Sequence, residues 1–190
     1  GGDMVPLEDA YNRLFTAMLI LGEPIADELA VARKRLPASR LLALLANVLV
    51  VEDADAAKRD GALQRMFDSI REDRSVVLER GEVDLLVMAT SFFRNRGLGL
   101  TIRGEYERAI VPLRCALLLD PEHKDTARGW AFAHYHLGHY DEAARVWGEV
   151  GDRTWVTRSW LRAVEKAPAD QMLRLESARS LTAAGLIAEG

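Results

Sequence analysis

Apolar side chains recur at helical spacing along most of the 190-residue chain. In "PLEDAYNRLFTAMLILG", Tyr11, Leu14, Phe15 and Met18 stand at helical intervals, with Pro6 and acids at the start and Gly22 at the end. "PIADELAVARKRL" repeats that grammar: its acids come early, and Arg33, Lys34 and Arg35 come late, where the helix dipole favours cations. A third helix is predicted after Pro37, a fourth from about Asp55 to Asp73, and a longer one from about Val83 to Arg103. Further helices are predicted near residues 105–119, 122–137, 140–149, 153–166 and 169–184. "RSVVLERGEVDLLVM" is the one place where Val76, Val77, Leu78 and then Gly81 allow a hairpin, but its helical flanks favour a helix, a turn and a helix. Short connections between helices imply antiparallel neighbours. No low-complexity linker divides the chain, so residues 1–81, an N-terminal helical region, and residues 82–190 read as one continuous domain.

One phrase is written twice. "RGEYERAIVPLRCALLLDP" and "LGHYDEAARVWGEV" share Gly-x-Tyr-x-x-Ala, and Gly104, Tyr106 and Ala109 precede Gly138, Tyr140 and Ala143 by 34 residues. Each glycine suits a helix end, where a backbone with positive φ is easiest without a Cβ. The tyrosines then cover the turn, and the alanines are small enough for two helices to cross closely. Asp120 is predicted to cap the next helix, with Pro121 at its first position.

This spacing resembles the tetratricopeptide repeat, which implies an all-α fold of antiparallel helix pairs stacked as a right-handed superhelix. Laid over the chain, that pattern puts one unit at about 90–123 and a second from 124 onward. Phe93, Gly97, Ala116 and Pro121 match the first unit, and Ala131, Trp147 and Val150 the second. Trp160, Ala163 and Pro168 resemble a second helix with its terminator, and Ala178 and Gly185 the following first helix. Ala127 stands where an aromatic is usual, with Trp130 nearby, and His134 replaces a tyrosine. Residues 1–81 are readable as degenerate units. Pro112 interrupts a helix, where it removes a hydrogen bond and should bend the axis.

Composition narrows the function. The net charge of −4 argues against a sequence-independent grip on nucleic acid, which needs a dense basic footprint. A single cysteine, Cys115, excludes an internal disulfide framework and fits a reducing, cytoplasmic setting. The longest apolar run, "LLALLANVLVV", is too short to span a bilayer and contains Asn47. No secretory signal is visible, and the opening "GGD" reads as a cloning remnant.

Catalytic chemistry finds no support. Cys115 lies among apolar neighbours in "PLRCALLLD", which suits packing better than nucleophilic attack. His123, His134, His136 and His139 cluster without His-x-x-x-His or HExxH spacing, so no metal is expected. His134 is expected to pack and His136 to line a surface. Neither GxxxxGK[ST] nor GxGxxG occurs, and "EDADAAKRD" reads as a solvated helix start. No cofactor is implied, and the chain reads as a non-enzyme.

What remains is the repeat surface. By the resemblance, first helices line a concave groove, offering Ser91, Arg94, Leu98, Thr101 and Ile102, then Asp125, Arg128, Phe132, Tyr135 and His136, then Met172, Leu175 and Arg179. Arg94 and Arg128 stand 34 apart and could hold carboxylates of a partner, unless they are solvated or pair with Asp125 and Glu105. The family's carboxylate-clamp subtype is not expected, because it wants asparagine where Leu98 stands. The expected function is a protein–protein interaction scaffold or adaptor holding a partner segment. A cytoplasmic chaperone for bacterial secretion substrates and a regulatory repeat domain of a larger enzyme are the alternatives. Leu173, Leu181 and Leu186 form an apolar end on which copies could associate through the C-terminal helix.

Overall fold

The computed structural model describes residues 4–53 and 56–186. The Asp55 boundary expected for the fourth helix, the opening "GGD" and the acidic side chains of "EDADAAKRD" lie outside the described residues. Ten helices are present among the described residues: α1 Met4–Leu21, α2 Ala26–Arg35, α3 Arg40–Asp53, α4 Ala56–Glu72, α5 Leu85–Ile102, α6 Tyr106–Leu119, α7 Lys124–His136, α8 Tyr140–Glu149, α9 Arg153–Lys166 and α10 Gln171–Ala183. The all-α expectation therefore holds at the level of class.

Between α4 and α5 stands a hairpin rather than the expected helix and turn. Strands β1 Ser75–Leu78 and β2 Gly81–Asp84 pair antiparallel, with Val76 opposite Val83 and Leu78 opposite Gly81. The period of two decides it: Val76 and Leu78 are buried while Val77 is exposed. Gly81 supplies a φ of +111° beside the turn. Arg40 braces the junction, donating to the Ser69 carbonyl at 2.8 Å and the Ser75 carbonyl at 3.2 Å and pairing with Asp73. Because Val83 and Asp84 belong to the strand, α5 starts at Leu85, and the Asp84 carboxylate accepts from the Leu86 N–H at 2.8 Å.

Helix α5 is the centre of the molecule. It buries a broad face, from Leu85 and Met88 to Phe92, Phe93, Gly97 and Leu100, and leaves Val87 and Ile102 exposed on the other. So wide an apolar face needs several partners, and α1, α3, α6 and α7 pack against it. Phe15, Leu41, Leu45, Met66, Leu85 and Phe93 share one core that joins the N-terminal helices to α5 and α6. A second, smaller core holds Leu100, Ala109, Leu113 and Ala133, and a third holds Ala143, Trp147, Val156 and Trp160.

The repeated glycines behave as the spacing requires. Gly104 and Gly138 each have φ of +78°. In both turns the glycine N–H returns to a carbonyl three residues back, and the next N–H reaches five back: Glu105 to Leu100 at 3.0 Å and His139 to His134 at 2.9 Å. Ala109 and Ala143 are fully buried at the crossings. Gly151 and Gly185 repeat the same ending, also 34 residues apart, but shifted 13 residues from Gly138. That shift equals one short helix and its turn, and α8 supplies it. α8 packs between α7 and α9 and also touches α10, as α5 packs on α6 and touches α7.

The cap expected at Asp120 is a correction. Asp120 ends α6 instead, its N–H donating to the Ala116 carbonyl at 2.9 Å, and α7 begins at Lys124. His123 is the cap: its Nδ1 accepts from the Thr126 N–H at 3.2 Å, which fixes that ring's tautomer. Pro121 therefore lies in the connecting turn, where its missing N–H leaves no helical bond unmade. Pro112 lies buried within α6.

Candidate interaction face

The ends of α1 and α5 leave apolar side chains uncovered. Ile102 is 86% exposed and Leu21 66%, whereas Leu19 and Leu100 beside them are buried. Gly99 permits this approach, since a Cβ there would lie 2.7 Å from the Ile20 carbonyl oxygen. Ile20, Leu21, Leu98, Gly99 and Ile102 line a hollow of about 520 Å³. On the other side of Ile102 a second hollow of about 380 Å³ is lined by Thr101, Tyr106, Arg128, Phe132 and Trp147. Ile102 borders both, and the two hollows, with Asn95 and Arg103 at the edge of the first and Arg128 at the edge of the second, are together termed the trough, lined from α1 across α5 to α7. Gly129 keeps the trough's floor thin: a Cβ there would meet Leu98 Cδ2 at 2.5 Å.

Aromatic contacts continue from this trough toward α9. Tyr106 stacks on His136 with ring centres 4.5 Å apart, and Phe132 lies 4.4 Å from the same imidazole. Phe132 and Tyr135 meet Trp155 of α9 edge-on at 5.6 and 5.1 Å, and Trp155 stacks on Trp147 at 5.4 Å. Arg158 covers the Trp155 ring at 4.8 Å.

The residues predicted to form the groove divide accordingly. Thr101, Arg128 and Phe132 line one hollow and Leu98 the other. Tyr135 and His136 belong to the aromatic belt rather than to an open wall, although His136 is exposed as expected. Arg128 donates to Asp125 at 2.9 Å one turn away, and Arg94 to the Ser91 hydroxyl at 3.3 Å. Glu105 is held by Arg103 and Arg108 instead, and the former interaction foremost keeps its carboxyl below the usual range. The residue-level reading missed Ile20, Leu21 and Trp155. The visible signal was the unbroken run Met18, Leu19, Ile20 and Leu21 before Gly22, longer than a single helical stripe can bury.

No group of three or more His, Cys, Asp or Glu side chains placed to hold a metal ion occurs among the described residues. His134 is buried as expected, with its Nδ1 3.2 Å from His139 Nδ1 and its ring 4.0 Å from Trp130. Cys115 is also buried. Among the described residues, no helix is long and apolar enough to cross a membrane. Compared with protein-family models the chain matches none, and compared with curated proteins it again finds no match.

Proposed function

We propose that this chain is a non-catalytic scaffold of tetratricopeptide type, holding an apolar-anchored segment of another protein in the trough between Ile20 and Phe132. In this reading α5–α6 and α7–α8 are successive helix pairs of a right-handed superhelix, and α8 also opens the shifted frame that ends at Gly185. The observation that supports it most is Ile102, 86% exposed between two hollows that already have apolar walls. Clustered exposed apolar surface of this kind marks binding sites, whereas single exposed residues do not. Tyr106, Phe132 and Trp147 provide rigid aromatic walls, the residue types that dominate binding energy at interfaces.

Full burial of the Ile102 side chain contributes about 1.5–3 kcal/mol, so Ile102→Glu should weaken binding by about tenfold or more. The test is affinity purification from the native cell with wild type, Ile102→Glu, Phe132→Ala and Val31→Glu. Val31 is exposed on α2, away from the trough. A protein partner lost with the first two variants and kept with Val31→Glu supports the reading. Retention with all three variants removes it.

A further inference from the structure

We infer that the same groove continues into a carboxylate-binding stretch on α9, so that its partner is a segment with apolar residues at one end and acidic residues at the other. This rests on the scaffold reading above and names the partner's chemistry. Beyond Trp155, α9 borders a cleft of about 600 Å³ whose walls include Arg153, Arg158, Leu161, Arg162, Glu165 and Leu186. Three arginines against one acid is a local excess of positive charge in a chain whose net charge is −4.

The individual partners sharpen this. Arg153 donates to the Gly185 carbonyl at 2.8 Å, which fixes the cleft's far wall. Arg162 holds Glu165 at 3.1 Å, one turn along the same helix and largely in solvent. Such an exposed pair is weak and readily exchanged for a better acceptor. Arg158 lies over the Trp155 ring and directs its guanidinium to no carboxylate among the described residues. Arg158 and Arg162 are also four apart on one helix, an arrangement that repels without an anion between them. Two planar forks held about 5–6 Å apart at the Cβ level match two carboxylates on successive turns of a partner. Arg94 and Arg128, the arginines singled out by repeat spacing, contact Ser91 and Asp125 and lie outside this cleft.

Continuity joins the two ends. Trp155 touches Phe132 and Trp147 of the trough on one side and carries Arg158 on the other. Tyr135 lies between Trp155 and Arg162, and its hydroxyl raises the already high guanidinium pKa of Arg162 foremost, with Glu165 adding to it. Leu161, 56% exposed, and Leu186, 36% exposed, give the cleft apolar footholds beside the charges.

The experiment uses the full chain and dye-labelled synthetic peptides read by fluorescence anisotropy. One probe carries leucines followed by glutamates, a second the same leucines followed by glutamines, and a third leucines followed by lysines. The glutamate probe should bind about tenfold more tightly than the glutamine probe, and added salt should erase that gap. The double variant Arg158→Gln, Arg162→Gln should lose the gap and stay folded, checked by its helical circular dichroism, since both side chains are exposed. Equal binding of glutamate and lysine probes, or an unchanged gap in the double variant, overturns the carboxylate assignment alone. Binding of the glutamine probe that Ile102→Glu does not weaken overturns the trough as the apolar anchor. Failure of every probe to bind overturns both.

Discussion

Burial, and secondly the adjacent His139, hold the His134 imidazole down to about 4 from its ordinary 6.5, while Asp141 pulls weakly the other way. The folded chain therefore binds fewer protons than the unfolded chain between those values. His134 contributes stability that is fully present above pH 6.5 and lost as pH falls toward 4. The loss is on the order of 2 kcal/mol, because the ring packs against Trp130 but its partner His139 meets solvent. Urea midpoints at pH of about 7 and about 4.5 should differ more for wild type than for His134→Gln. Equal differences in the two proteins would remove the assignment. The histidine cluster was visible in the sequence, yet its geometry was not. His134 and His139 come together only because the chain reverses at Gly138 with a φ of +78°.

At the scale of helices, close crossings explain which small residues matter. A Cβ at Gly97 would lie 2.5 Å from Leu113 Cγ and 3.0 Å from the Leu113 backbone nitrogen, so α5 and α6 would have to separate. Gly97→Ala should cost about 1–3 kcal/mol, measured by urea denaturation. Gly61→Ala is the contrast: its Cβ would meet only the end of Arg65 at 3.4 Å, and a helix-interior glycine is lost. It should stabilise by about 0.5–1 kcal/mol. If both changes destabilise alike, crossing distance is not what distinguishes them. Helix α10 is fastened differently. It buries only Ser177, and it is held by the two-pronged Arg145–Glu176 pair at 2.9 and 3.1 Å and by half-buried Leu173 and Leu181. Its amides should exchange with deuterium faster than those of α5 to α9, as mass spectrometry would resolve. Gly97 was legible beforehand because the resemblance to the repeat family expects a small residue at that position. The hairpin was not: four residues per strand give too little alternation to outweigh long helical flanks. The trough was legible in half. The family resemblance pointed to Leu98, Ile102 and Phe132, but nothing in it relates α5 to Ile20 and Leu21, which only tertiary packing brings there.

For the whole molecule, the arrangement of cores predicts how it unfolds. One large core joins α1 to α6, whereas a small core rich in alanine joins α7 to α10 around Trp147 and Trp160. A chain of helices in which each touches mainly its neighbours divides its stability along its length. The smaller C-terminal core should therefore open first. All four tryptophans, at positions 130, 147, 155 and 160, lie in α7 to α9. Trp147, Trp155 and Trp160 belong to the C-terminal core and Trp130 packs on the core shared by α5, α6 and α7, so their fluorescence reports chiefly on that half. Helical circular dichroism reports on every helix. In urea the fluorescence transition should precede the dichroism transition, and Trp160→Phe should move the first more than the second. Coincident transitions, unchanged in their relation by that substitution, would show that the central helix α5 binds both halves into a single cooperative unit. The prediction bears directly on binding, because Phe132, Trp147 and Trp155 all stand in the half that opens first. A partner segment lying from Ile102 to Arg158 would bridge the two cores, stabilise the folded form by mass action, and draw the fluorescence transition up toward the dichroism one.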